Sequence, residues 1–108
     1  MTNDTPMIRQ YKSLKREAPP GSILLFRMGD FYEAFGEDAV RLSPIFGTTL
    51  AQRNGIPMTG CPHWSIWERM YSLFASGSVF ALAETVEFTK RGLPRREIVR
   101  IVKGGLKQ

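Results

Sequence analysis

The sequence predicts an α/β domain with a mixed β-sheet of about six strands flanked by about three helices. Two near-continuous apolar runs, residues 23–28 and 79–86, read as strands buried on both faces. Two tight-turn signals, Gly29-Asp30 and Asn54-Gly55, each sit between strand-like segments. Segments of helical spacing alternate with the strands, and that alternation is the pattern of an α/β fold.

Taken in order, Thr5 is placed to cap a first helix with Pro6 in its first turn. Met7, Tyr11, Leu14 and Ala18 form its apolar stripe, and Arg9, Lys12, Lys15 and Arg16 fall on the other side, as a solvated face or as phosphate contacts. Pro19-Pro20-Gly21 ends it. The run Ile23 to Met28 is the central strand, followed by a hairpin turn of II′ type and a short strand from Phe31 to Phe35. Glu37 and Asp38 suit the start of a second helix, with Ala39, Val40 and Leu42 inward and Pro44 cutting it short. Thr48–Leu50 and Ile56–Met58 read as two short strands, and Pro57 argues for an edge. A third helix opens at residues 61–65 and buries Ile66, Trp67, Met70, Tyr71, Leu73 and Phe74. A basic loop from Glu87 to Arg96 then separates the strand at 79–86 from a last strand around Ile98–Val102.

A chain of 108 residues is read as one domain, residues 1–108, able to bury one core. Its formal net charge of +5 and pI near 9.8 favour a polyanionic partner. The single cysteine, Cys61, permits no internal disulfide and fits a reducing compartment. With no signal-peptide pattern and no apolar run of membrane-spanning length, the expectation is a cytoplasmic chain with no membrane partner.

The chemistry concentrates at the hairpin tip. Strand alternation puts Phe31 and Glu33 on one face, roughly 7 Å apart, and Tyr32 on the other. An aromatic wedge beside a hydrogen-bonding carboxylate is suited to opening a DNA base step and probing the exposed base. The plain alternative is that Phe31, Glu33 and Phe35 are ordinary strand residues.

The run RMGDFYEAF resembles the signature of the N-terminal mismatch-recognition domain (domain I) of the MutS family of DNA repair proteins. TPMIRQYKSLK, ILLFRMGDFYEAFGEDA, IPMTGCP and GLPRREIVRIV follow in that family's order, over roughly residues 5 to 103. The resemblance implies a mixed sheet with about three helices and a minor-groove wedge. It gives Phe31 the role of stacking on a mispaired base and Glu33 that of hydrogen-bonding it. The family carries a basic residue near Arg53, which implies a backbone contact there. Two departures stand out: His63-Trp64 replaces a Tyr-His pair, and Lys103-Gly104-Gly105 replaces a Thr-Pro-Gly junction. The expectation is a single MutS N-terminal-type domain, with no connector, lever, clamp or ATPase domain within these residues.

Lys90, Arg91, Arg95 and Arg96 are the further candidates for DNA backbone contact, and Gly29 for a close backbone approach, although its turn already accounts for it. No phosphate-binding Gly-rich loop ends in Lys-Ser/Thr, which argues against P-loop nucleotide hydrolysis. One Cys and one His are too few for a common zinc site, and no catalytic triad is evident, so neither metal, cofactor nor enzymatic activity is expected. The partner expected is mismatched or distorted double-stranded DNA, with other repair proteins as a further class. The rival reading is a protein-interaction module that keeps the fold without mismatch recognition.

Overall fold

Strand β1 (Ile23–Met28) lies at the middle of the molecule because its first four side chains have no polar atom to keep in water. Ile23, Leu24, Leu25 and Phe26 are fully buried, alternating between the two faces of the sheet. A computed structural model of the chain describes residues 4–89 and 92–105. Strand β2 (Phe31–Phe35) pairs antiparallel with β1, and β5 (Val79–Glu87) pairs with it in parallel on the other side. Beyond β2 lie β4 (Ile56–Pro62) and the edge strand β3 (Ala51–Arg53); beyond β5 lies β6 (Arg95–Lys103). The sheet is therefore mixed and six-stranded, in the order β3-β4-β2-β1-β5-β6. The parallel pair is what makes it mixed; every other neighbour is antiparallel.

Helix α1 (Pro6–Glu17) covers one face. Thr5 caps it as expected, its Oγ1 accepting from the Ile8 amide at 3.2 Å. The buried stripe is Ile8, Tyr11, Leu14 and Ala18, packed on Leu24, Phe26 and Phe35; Ile8, not Met7, is its first member. Of the four cations placed on the solvated side, Lys15 is an exception: it pairs with the buried Asp38 at 3.1 Å. Asp38 also accepts from the Leu24 amide at 3.0 Å and lies 2.8 Å from the Tyr11 hydroxyl, which locks α1 to the sheet.

Helix α2 (Glu37–Phe46) covers the other face with Ala39, Leu42 and Phe46. It runs through Pro44, contrary to the sequence expectation. Pro44 and Val40 are both exposed, so the carbonyl that a proline deprives of its partner lies on the solvent side, where water satisfies it. Gly47, at φ +71°, ends the helix in a left-handed cap.

The turn between β3 and β4 has two residues, Asn54 and Gly55, both at positive φ (53° and 77°), the geometry of type I′. Strand β3 begins later than expected, at Ala51, and β4 is longer, reaching Pro62. Pro57 does not mark an edge, since β4 is flanked by both β3 and β2. It is tolerated because the ladder with β2 stops at Met58, and the Pro57 carbonyl accepts from the Gly36 amide at 2.8 Å.

The third helix departs most. Residues 61 and 62 still belong to β4, His63–Ser65 form a 3-10 turn, and α3 is only Met70–Ala75. Ile66 and Leu73 enter the core, but Trp64, Trp67, Tyr71 and Phe74 face solvent. The apolar pattern there is a surface, not a buried stripe. No helix among the described residues is long and apolar enough to cross a membrane.

Candidate functional site

The β1–β2 hairpin projects from the C-terminal end of β1, closed by the pair Met28 and Phe31. Gly29 has φ +57°, whereas Asp30 does not have positive φ. That combination is the expected II′ turn. Asp30 is not left loose: its carbonyl accepts from the His63 amide at 2.6 Å, so the tip is tied to the end of β4.

Phe31 is 43% exposed, while Tyr32 beside it is buried in the core under α2. Alternation thus gives the split that the sequence predicts. Glu33 lies between Phe26 of β1 and Gly60 of β4. Gly60 brings the β4 backbone hard against β2: a Cβ there would overlap the Tyr32 carbonyl oxygen and sit 2.9 Å from the Glu33 Cα. A shallow depression of about 310 Å³ opens beside the pair, lined by Phe31, Glu33, Ala51, Met58 and Gly60 among others.

Glu33 is only half-buried, yet its Oε1 is shielded from solvent and has no hydrogen-bond partner among the described residues. Burial raises its pKa, and the positive charge of Arg53 pulls it partly back. Ionised Glu33 is therefore a cost to the fold. With a raised folded pKa, its favourable contribution is complete below the ordinary carboxylate value and is lost as pH rises through the folded value. Glu33→Gln is expected to melt higher than the parent at pH 7, by no more than about 1 kcal/mol because solvent screens the half-exposed group. The difference should close near pH 4. Thermal melts of both chains across that range check it, and an advantage that persists unchanged at low pH would contradict the raised pKa.

The cationic candidates separate. Arg53 is exposed on β3 and on the same side of the sheet as Met58, close enough to act on Glu33. Arg95 and Arg96 are not loop residues; both lie in β6, where Arg96 pairs with Thr85 of β5. Arg95 is exposed but held between Glu87 at 3.0 Å and Glu97. Arg96 is only 7% exposed. Its guanidinium lies 4.2 Å over the Phe26 ring, and its Nε donates to the Arg27 carbonyl at 2.6 Å. A desolvated cation on an aromatic face contributes on the order of 2 kcal/mol, so this side chain is committed to the fold. Lys90 and Arg91 lie outside the described residues. Gly29 is at the exposed turn with open space where a Cβ would be.

Sequence reasoning overlooked Arg27, the one cation inside the central apolar run. Its Nε donates to the Gly29 carbonyl at 2.7 Å, its Nη1 is 3.2 Å from Glu84 Oε1, and it lies over the Tyr32 ring at 5.6 Å. Tyr32 also donates to Glu84, and burial together with that carboxylate raises its pKa to about 12. The signal was available: a lone charge in an otherwise apolar strand needs a partner. The described residues contain no group of three or more His, Cys, Asp or Glu placed to hold a metal ion.

The fold and this tip define a small α/β domain that offers an aromatic and a carboxylate from one pinned hairpin. The family model of MutS domain I matches residues 5–107, and the chain belongs to that family. It is 44% identical over 111 residues to the DNA mismatch repair protein MutS of Desulfitobacterium hafniense (strain Y51), covering 96% of this chain and 13% of that protein. The DNA mismatch repair protein MutS of Petrotoga mobilis is 41% identical, with 97% and 13% covered. That of Treponema pallidum (strain Nichols) is 38% identical, with 97% and 12% covered. The chain thus spans about one-eighth of the length of the relatives it matches.

Proposed function

We propose that this domain binds double-stranded DNA, favouring mispaired or distorted duplex, and acts as a binding module rather than an enzyme. Phe31 enters the minor groove and stacks at a weakened base step, where unstacking costs least. Glu33 hydrogen-bonds the displaced base. Arg53, Lys90, Arg91 and Arg95 approach the phosphates, Arg95 by exchanging its carboxylate partners, and Gly29 leaves room at the turn for the backbone to come close. The observation that carries the reading is the half-exposed Phe31 beside a Glu33 oxygen that the fold shields and leaves without a partner. When protonated, a carboxyl in that position can donate to an acceptor on a base, and when ionised it repels phosphates, so it favours duplexes in which a base is reached.

Titration of labelled duplexes with and without a G·T mismatch, at two salt concentrations, tests it. Binding to matched duplex is expected near the non-specific range of about 10⁻⁴ to 10⁻⁶ M at physiological salt, and to weaken steeply as salt rises. The mismatched duplex should bind more tightly. Equal affinities would remove mismatch recognition, and salt-independent binding would remove the phosphate contacts.

One observation favours a second reading, a protein-interaction module. Trp64, Trp67 and Tyr71 are exposed around the 3-10 turn and α3, with Tyr71 at 81%. Such aromatic surface is typical of contacts between proteins. A domain that fails to bind either duplex but retains this fold would favour that reading.

A further inference from the structure

The geometry points to Arg27 as a positioning residue that, with Glu84 and Tyr32, braces the hairpin tip from behind and fixes the direction in which Phe31 is presented. The inference deepens the DNA-binding reading and rests on it for the consequence at DNA, though not for the brace itself.

The two peptide groups of a two-residue turn are its weakest part. Types I′ and II′ differ mainly by a flip of the central peptide, here the one carrying the Gly29 carbonyl, and Asp tolerates the left-handed conformation that the flipped form needs. Nothing in the local sequence alone forbids that exchange. In the folded chain the Gly29 carbonyl accepts from Arg27 Nε at 2.7 Å. The Asp30 carbonyl accepts from the His63 amide at 2.6 Å. Both carbonyls of the turn are therefore held, one by a side chain and one by the neighbouring strand.

Arg27 is itself held on every side. Its Nη1 meets Glu84 Oε1 at 3.2 Å, its plane lies over Tyr32, and Tyr32 donates to the other oxygen of the same carboxylate. Its backbone carbonyl accepts from Arg96 Nε at 2.6 Å. Arg96 in turn reaches α1, where Gln10 Oε1 accepts from its amide at 3.0 Å. Rigid support continues from the tip to both sheet faces. Alternation places Arg27 opposite Tyr32, on the side of the sheet away from Phe31 and Glu33. A cation behind the wedge is badly placed for the phosphates the wedge approaches, and well placed to stop the tip from yielding. A wedge that is already fixed loses less conformational freedom when it inserts.

Arg27→Lys separates the alternatives, because lysine keeps the charge but cannot make the forked contact to Gly29 and Glu84 together. Amide hydrogen exchange and the duplex titrations are both measured on the 108-residue chain. The amides of Phe31 and His63 are expected to exchange about three- to tenfold faster in Arg27→Lys, the range set by losing one hydrogen bond. The ratio of mismatched to matched affinity should fall by a similar factor, with an unchanged salt slope. Glu84→Gln, which releases Arg27 without adding a cation, should lower the ratio too. Wild-type exchange at those amides in Arg27→Lys overturns the brace. So does a Glu84→Gln chain that binds both duplexes more tightly with its preference intact, which would make Arg27 a phosphate contact. A parent chain with no mismatch preference would sink the DNA reading alone, and the exchange rates would still decide the brace.

Discussion

Gly60→Ala is expected to lower the stability of the chain by about 3 kcal/mol or more, at the top of the range for forcing extra atoms into a packed site. For a domain of this size that is a fall of roughly 10–20 °C in melting temperature. The cause is specific. The added Cβ would meet backbone, the Tyr32 carbonyl and the Glu33 Cα, and neither can rotate away as a long side chain would. Relief requires β4 to separate from β2, which loosens the ladder from Phe31 to Phe35 and the support beneath Glu33. Thermal or denaturant unfolding measures the effect. A change of only one or two degrees would mean that the two strands shift apart easily, and that the tight approach is not needed.

Phe31→Ala is expected to erase any preference for mismatched duplex while leaving the fold in place. Base–aromatic stacking contributes on the order of 1–3 kcal/mol, enough to erase a modest preference. The side chain is 43% exposed at the tip, so truncation should cost less than about 1 kcal/mol of stability. Two measurements decide it together: the affinity ratio for G·T and matched duplexes, and the melting temperature. A ratio that survives the substitution removes Phe31 as the wedge. A large loss of melting temperature would make it a core residue and favour the protein-interaction reading.

The hairpin that carries these residues was legible because its signals are local. Four buried aliphatic and aromatic residues, a Gly-Asp turn and strict alternation after it determine both the strands and the outward face of Phe31. The Asn54-Gly55 turn was legible for the same reason. What failed depended on contacts between distant segments. Arg96 reads as one more cation in a basic stretch until Phe26 and the Arg27 carbonyl are brought beneath it. Pro44 reads as a helix breaker until its side of α2 is known to face water. The stretch from Ile66 to Phe74 has the spacing of a buried helix, but only Ile66 and Leu73 are buried, with Met70 packed at the edge of that core and the aromatic residues facing solvent. Of the candidate site, the outward face of Phe31 and the placement of Glu33 on that same face were readable; the Arg27 contacts were not, because Glu84 comes from β5, far along the chain.

The parallel pairing of β1 with β5 also dictates when the chain can finish folding. Ile23 meets Phe80, so the two strands that make the heart of the sheet are separated by about half the sequence. The β1–β2 hairpin and its extension by β4 can form from residues already made. The opposite edge of β1 cannot be covered until β5, at residues 79–87, has left the ribosome. Closing so long a loop slows folding, as it does in other sheets with distant partners. During that interval the most apolar strand of the protein presents an unpaired edge, the kind of template on which chains pair with one another. Until β5 arrives, that edge of β1 is where the growing sheet is most open to pairing with another chain.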